Sequence, residues 1–144
     1  MFCGRPEDKP LALLAVEQVR RCGGVLEHPK NSGLWPALGL PLPGAPLDEF
    51  GGWSIDVEQV SWGHVARKAT RLYMVGVDRV LVDATVRRGG EPTHCIGRPS
   101  RAFTAANGIT WPCASLLATS TEQNRRTPLA FAEWLVMLAR STRR

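Results

Sequence analysis

Between residues 30 and 52 the chain carries Pro36, Pro41, Pro43 and Pro46 together with Gly33, Gly39, Gly44, Gly51 and Gly52. Proline removes a backbone donor and fixes φ, and glycine costs more entropy to order than any other residue, so this stretch reads as loop rather than helix or strand. A loop of that length inside a compact domain is unusual and often functional. Trp35, Leu38 and Leu40 are the side chains expected to pin it to a core. The loop leaves a short helix-and-strand segment before it and a longer, mixed segment after it. At 144 residues the whole chain reads as one ordinary domain, residues 1–144. Its composition, 44% hydrophobic and 22% charged, is that of a globular protein and excludes wholesale disorder.

No stretch approaches the roughly 20 unbroken apolar residues of a membrane-spanning helix. The opening Met1-Phe2-Cys3-Gly4-Arg5-Pro6 lacks the apolar run of a signal peptide. A soluble protein of the cytoplasm of a bacterial host cell, with no membrane partner, is the expectation.

Residues 8 to 22 read as an amphipathic helix with Leu11, Leu14, Ala15, Val19 and Cys22 on its apolar stripe and Gly23-Gly24 as its stop. Val25-Leu26-Glu27-His28-Pro29 follows as a short buried strand, giving the αβ half of a βαβ unit. Residues 53 to 62 alternate apolar and polar, as a half-exposed strand does. Gly63 to Lys68 reads as a polar connection, Arg71 to Val77 as a more buried strand, and Val80-Leu81-Val82 as a third short strand. From Arg87 to Ser120 the expectation is mostly loop with short elements. Thr127-Pro128 opens a last helix, with Thr as cap and Pro in the first turn. Phe131, Trp134, Leu135, Leu138 and Ala139 form its apolar face.

Lys plus Arg is 18 against 13 Asp plus Glu, a formal net charge of +5. Most of the cations are arginines, suited to planar contacts with phosphate or carboxylate. They gather late, as Arg87-Arg88, Arg98, Arg101, Arg125-Arg126, Arg140 and Arg143-Arg144, which suggests a nucleic-acid surface or a solvated basic face. Cys3, Cys22, Cys95 and Cys113 lie far apart with no CxxC pair. That spacing argues against a disulfide framework or a zinc site and for reduced, packed thiols.

Two stretches carry candidate chemistry. Glu27 and His28 stand at the carboxyl end of a buried strand, the edge at which open α/β sheets bind ligands. A glutamate there can hold a base or a proton. Its bland alternative is a Glu satisfied by loop amides. Trp62, His64, Arg67, Lys68 and Arg71 form a dense basic-aromatic stretch suited to stacking plus phosphate contact, or equally to a hairpin facing water. Cys113 in Trp111-Pro112-Cys113 follows a proline, but nothing local would lower its thiol pKa. The chain has no P-loop, G-x-G-x-x-G, G-x-S-x-G or H-E-x-x-H pattern.

Three stretches, in this order, resemble the catalytic-side half of DNA cytosine-5 methyltransferase-like proteins carried by phages and prophages. Val25-Leu26-Glu27-His28-Pro29 with Ser32-Gly33-Leu34-Trp35 is similar to the segment whose glutamate holds the target base. Trp62-Gly63-His64 through Gly76 looks like the segment that runs into a supporting strand, and Thr127 to Leu135 is similar to the closing helix. The resemblance spans roughly residues 8 to 77 and 125 to 140. It implies an α/β fold: a small, partial Rossmann-like methyltransferase sheet with an N-terminal helix, a long Pro/Gly loop, a strand pair and a C-terminal helix. The family's glycine-rich loop for S-adenosylmethionine and its Pro-Pro-Cys nucleophile segment have no counterpart, and His28 stands where the family has Asn.

The expected function is therefore binding without catalysis. The ligand would be DNA or a host protein that handles nucleic acid, reached through His28, Trp62, His64, Arg67, Lys68 and Arg71, with no cofactor. A half-sheet leaves an edge and an apolar face to cover, so a homodimer or a hetero-complex is expected. Two alternatives stand beside this. One is an inhibitor of a host defence system of anti-CRISPR or anti-restriction type. The other is an enzyme, a methyltransferase subunit active only with a partner. There S-adenosylmethionine would be the cofactor, Glu27 would hold the flipped base, Arg67 and Arg71 would hold the phosphate or base edge, and Cys113 or Cys3 would be the nucleophile.

Overall fold

A computed structural model describes residues 9–96 and 117–143, and the backbone of residues 103–104 and 110–111. Its elements are mixed α/β, and they gather into two compact units whose segments alternate along the chain. The larger unit takes residues 1–57, 69–86 and 132–144, and the smaller takes 58–68 and 87–131. A single 144-residue span read linearly does not show this interleaving.

In the larger unit, α1 (Lys9–Cys22) leads into β1 (Gly24–Pro29). β1 pairs antiparallel with β3 (Ala69–Val75), and β2 (Trp53–Glu58) lies on the other side of β3, giving the order β1-β3-β2. Helix followed by strand was expected to belong to a βαβ unit, in which neighbouring strands run parallel. Here the 30–52 connection leads into β2, and residues 59–68 then carry the chain into β3 between the other two strands, so that β1 and β3 run in opposite directions, with Leu26 opposite Tyr73 and His28 opposite Arg71. The central strand β3 is buried at every position from Thr70 to Val75, as expected of the more buried strand, and it runs two residues earlier than the expected Arg71–Val77.

The core cluster is Val16, Leu34, Trp35, Leu40, Tyr73 and Val75, with Ala12, Val19, Leu26 and Leu38 packed against it. The α1 stripe therefore differs from expectation. Ala12, Val16 and Val19 face the core, whereas Leu11 and Leu14 are 66% and 49% exposed and Cys22 is exposed. The helix is apolar on more than one side, and periodicity alone does not choose which stripe meets the sheet. Leu13, Val16, Glu17, Arg20, Arg21, Leu38 and Phe50 line a groove of about 560 Å³ along this helix.

Of the side chains expected to pin the Pro/Gly stretch, Trp35 and Leu40 are buried in the core and Leu38 packs against it, and Leu34 is buried beside them. A single turn, α2 (Leu34–Ala37), places Trp35 so that its Nε1 donates to the Pro29 carbonyl at 2.9 Å. Arg20 on α1 donates to the Leu38 carbonyl at 3.0 Å and stacks 4.6 Å over the Phe50 ring. The end of the loop closes on Asp48. Its carboxylate accepts from the Gly52 and Phe50 amides at 2.7 and 3.0 Å and from the Tyr73 hydroxyl at 2.8 Å. Gly52 is required there, since a Cβ would overlap the Tyr73 phenol ring.

Val80-Leu81-Val82, expected as a strand, lies inside α3 (Arg79–Thr85). Asp78 is the reason: its side chain accepts from the Val80 amide at 2.8 Å and caps a helix that local β-branching disfavours. The expected strand over 53–62 likewise stops at Glu58, and Gln59–Trp62 forms a turn of 3₁₀ helix ending at Gly63, which is left-handed at φ 94°.

The smaller unit holds short elements, as expected for residues 87–120. β4 (His94–Cys95) pairs parallel with β7 (Leu117–Ala118), and β5 (Phe103–Thr104) pairs antiparallel with β6 (Thr110–Trp111). α4 (Thr121–Arg125) opens on a capping box, with the Ser120 hydroxyl and the Gln123 side chain each accepting from the other's backbone amide. The last helix, α5 (Leu129–Arg140), belongs to the larger unit from Ala132 onward; of its expected apolar face Phe131, Trp134 and Leu138 are buried, Leu135 is half-buried and Ala139 is exposed. No helix of the described residues is long and apolar enough to cross a membrane.

Candidate functional site

The candidate residues divide between the two units. Glu27, His28 and Arg71 belong to the larger, and Trp62, His64, Arg67 and Lys68 to the smaller. Cys113 and Cys3 lie outside the described residues.

In the larger unit the strand register puts His28 and Arg71 side by side on one face of the sheet, and alternation puts Glu27 on the other. Arg71 donates from Nε to Asp56 at 2.7 Å and from Nη2 at 3.2 Å, and its guanidinium lies 5.5 Å from the centre of the Trp35 ring. Lys30 completes the cluster at 2.9 Å from the same carboxylate. Burial alone would raise the Asp56 pKa, but hydrogen bonds and charge from Arg71 and Lys30 outweigh it and hold the carboxyl below its ordinary value. His28 packs edge-on against Trp35 with centroids 6.2 Å apart, and burial lowers its pKa, so the ring is neutral at pH 7. The expected part for Arg71, holding a phosphate or a base edge, does not fit this geometry. The side chain is only 10% exposed, with two of its donors committed to Asp56. The cluster fastens β3 to β2 and to the loop.

In the smaller unit the expected stacking residue Trp62 is buried at 5% exposure and packs edge-on against Phe131, centroids 5.0 Å apart. Its face is not offered to a base. His64 is also buried. Its Nδ1 lies 3.0 Å from the Ala66 amide nitrogen and 2.8 Å from the Ala66 carbonyl, and its Nε2 meets the Gln123 carbonyl at 3.0 Å. It is a clip between the Gly63–Val65 turn and α4, with no nitrogen left for a ligand. Arg67 meets Glu58 at 3.3 Å across a half-exposed pair, an arrangement of little energetic weight. Lys68 has a left-handed backbone, φ 39°, unusual for a residue with a Cβ, and its Nζ donates to the Arg126 carbonyl at 2.8 Å.

What the motifs missed is a property of the unit as a whole. Residues 58–68 and 87–131 hold eight Arg and Lys against three Asp and Glu, a net +5 equal to that of the entire chain. The larger unit holds ten of each sign and is neutral. In the smaller unit Arg87, Arg88, Arg125 and Arg126 are exposed, and among the described residues none of these four is in an ion pair. The late clustering of arginines was the sequence signal for this. What it did not carry was the gathering of two separate segments into one body.

Among the described residues no group of three or more His, Cys, Asp or Glu could hold a metal ion. Comparison of the chain with family models, with curated proteins and with solved structures finds no match.

Proposed function

We propose that this protein binds nucleic acid through its smaller, basic unit, as a polyanion rather than by reading bases, and performs no methyl transfer by itself. The observation that carries the reading is the confinement of the whole +5 surplus to that unit, with four exposed arginines outside any described ion pair. Phosphate contacts by such side chains release condensed counterions, and this term is strong and independent of sequence. The burial of Trp62 and Phe131 favours backbone contact over base stacking. Descent from phage-borne methyltransferase-like proteins, as the resemblance of Glu27, His28 and their surroundings implies, would make DNA the ligand. The reading does not depend on it.

The test is fluorescence anisotropy of labelled DNA and RNA duplexes across a salt series, beside calorimetry with S-adenosylmethionine. Four phosphate contacts predict a log–log salt slope of about −3.6, alike for unrelated sequences. A slope near zero, or no binding at low salt, overturns the polyanion reading. Micromolar affinity for S-adenosylmethionine overturns the non-catalytic part.

A further inference from the structure

The basic unit contains a cavity of about 350 Å³ lined by Gly63, His64 and Val65 on one side and by Gln123 and Arg126 to Leu129 on the other. We infer that one backbone phosphate of the bound nucleic acid sits in this cavity against the Arg126 guanidinium. The inference rests on the polyanion reading and localises it.

Two contacts build the cavity independently of any ligand. Buried His64 joins its walls, its Nε2 meeting the Gln123 carbonyl while its Nδ1 is held against the Ala66 backbone. Lys68 anchors the Arg126 backbone by donating to its carbonyl at 2.8 Å, so the Arg126 side chain projects from a fixed base. Arg126 is the one cation that lines the cavity, and it is exposed and outside the described ion pairs. The Thr127 hydroxyl beside it is exposed and makes no side-chain hydrogen bond among the described residues, where the sequence suggested a helix cap. An arginine fork with an adjacent hydroxyl suits a phosphodiester: the guanidinium supplies paired N–H donors and the hydroxyl a third. No lining residue is acidic, so nothing in the cavity repels the anion.

The experiment measures duplex binding, on DNA and on RNA, for variants matched in charge. Arg126→Ala is compared with Arg88→Ala, which removes the same charge from an exposed position of the unit outside the cavity. Thr127→Glu is compared with Thr121→Glu in the same way. All four positions are exposed, so circular dichroism is expected to be unchanged. The expectation is that Arg126→Ala and Arg88→Ala each reduce the salt slope by about 0.9, and that Arg126→Ala weakens binding about tenfold with Arg88→Ala milder in affinity. Thr127→Glu should lose more affinity than Thr121→Glu. The duplex bound more tightly identifies which nucleic acid supplies the phosphate. If each cavity variant equals its matched control while the wild type binds, the cavity assignment is overturned and the polyanion reading stands. If the wild type itself does not bind, both fall.

Discussion

Replacing Asp56 by Asn removes the one carboxylate that holds both Arg71 and Lys30. Three contacts are involved, at 2.7 and 3.2 Å from Arg71 and 2.9 Å from Lys30, and they are not equal. The Lys30 side chain is 44% exposed, so its share is at most about 0.5 kcal/mol. The Arg71 side chain is 10% exposed and would keep its charge with no carboxylate against it. Breaking a fully buried pair in this way costs about 3–5 kcal/mol. Asp56 is itself 28% exposed, which admits water and brings the expectation to about 2–3 kcal/mol. Urea denaturation followed by tryptophan fluorescence measures it, with Trp35 beside the lesion. Since a well-packed apolar pair replaces a buried ion pair at little cost, Arg71→Met added to Asp56→Asn should be less destabilising than Asp56→Asn alone. The pH dependence follows from the depressed Asp56 pKa. The folded protein binds this proton less readily than the unfolded chain, so the stabilisation is complete above the ordinary aspartate value of 3.8 and is lost as pH falls below it. Wild type and Asp56→Asn should therefore converge in stability in acid. A cost below about 0.5 kcal/mol at pH 7, or a gap that persists unchanged into acid, would refute the assignment of this cluster as the fastening between β2 and β3.

The buried Tyr73 hydroxyl donates to Asp48, and its pKa is pushed up to about 12 by burial first and by Asp48 second. Its stabilisation is therefore full below pH 10 and fades as pH rises toward 12. Tyr73 is the sole tyrosine, so phenolate absorbance reads it directly, and a midpoint near 10 would contradict the contact. Tyr73→Phe should cost about 1–2 kcal/mol by leaving a part-buried carboxylate oxygen without its donor. His64→Ala should release the Gln123 carbonyl and speed amide hydrogen exchange in α4, and unchanged exchange would mean that the clip bears no load.

Much of the larger unit was legible in the sequence because its signals are local. Gly23-Gly24 ends a helix, Pro29 ends a strand, and Trp134 and Leu138 recur at helical spacing. Where local signals conflict, tertiary or capping contacts decide. Val80-Leu81-Val82 reads as strand until the Asp78 cap is seen, and α1 offers two apolar stripes of which the sheet takes the one with the smaller side chains. The candidate site was less legible for a different reason. Residue type marked Arg71, Trp62 and His64 as chemistry, but type does not distinguish a cation facing solvent from one facing Asp56, nor an indole offered to a base from one packed on Phe131.

The distribution of charge resolves what the motifs could not. A neutral unit with ten charges of each sign can pair them internally, as Asp56 does with Arg71 and Lys30, and so use charge for cohesion. A unit with eight cations and three anions cannot, and its self-repulsion weakens the folded state. That cost is borne in the unit with the shorter strands, two residues each, where packing has least to offset it. A polyanionic ligand would relieve the repulsion and stabilise the unit by mass action, so on the proposed function binding and folding of residues 58–68 and 87–131 would be coupled in the same electrostatic term. The two basic-aromatic residues that looked most like ligand contacts, Trp62 and His64, then serve the site indirectly. Trp62 packs on Phe131, and His64 joins the Gln123 carbonyl across the walls of the cavity that Arg126 lines.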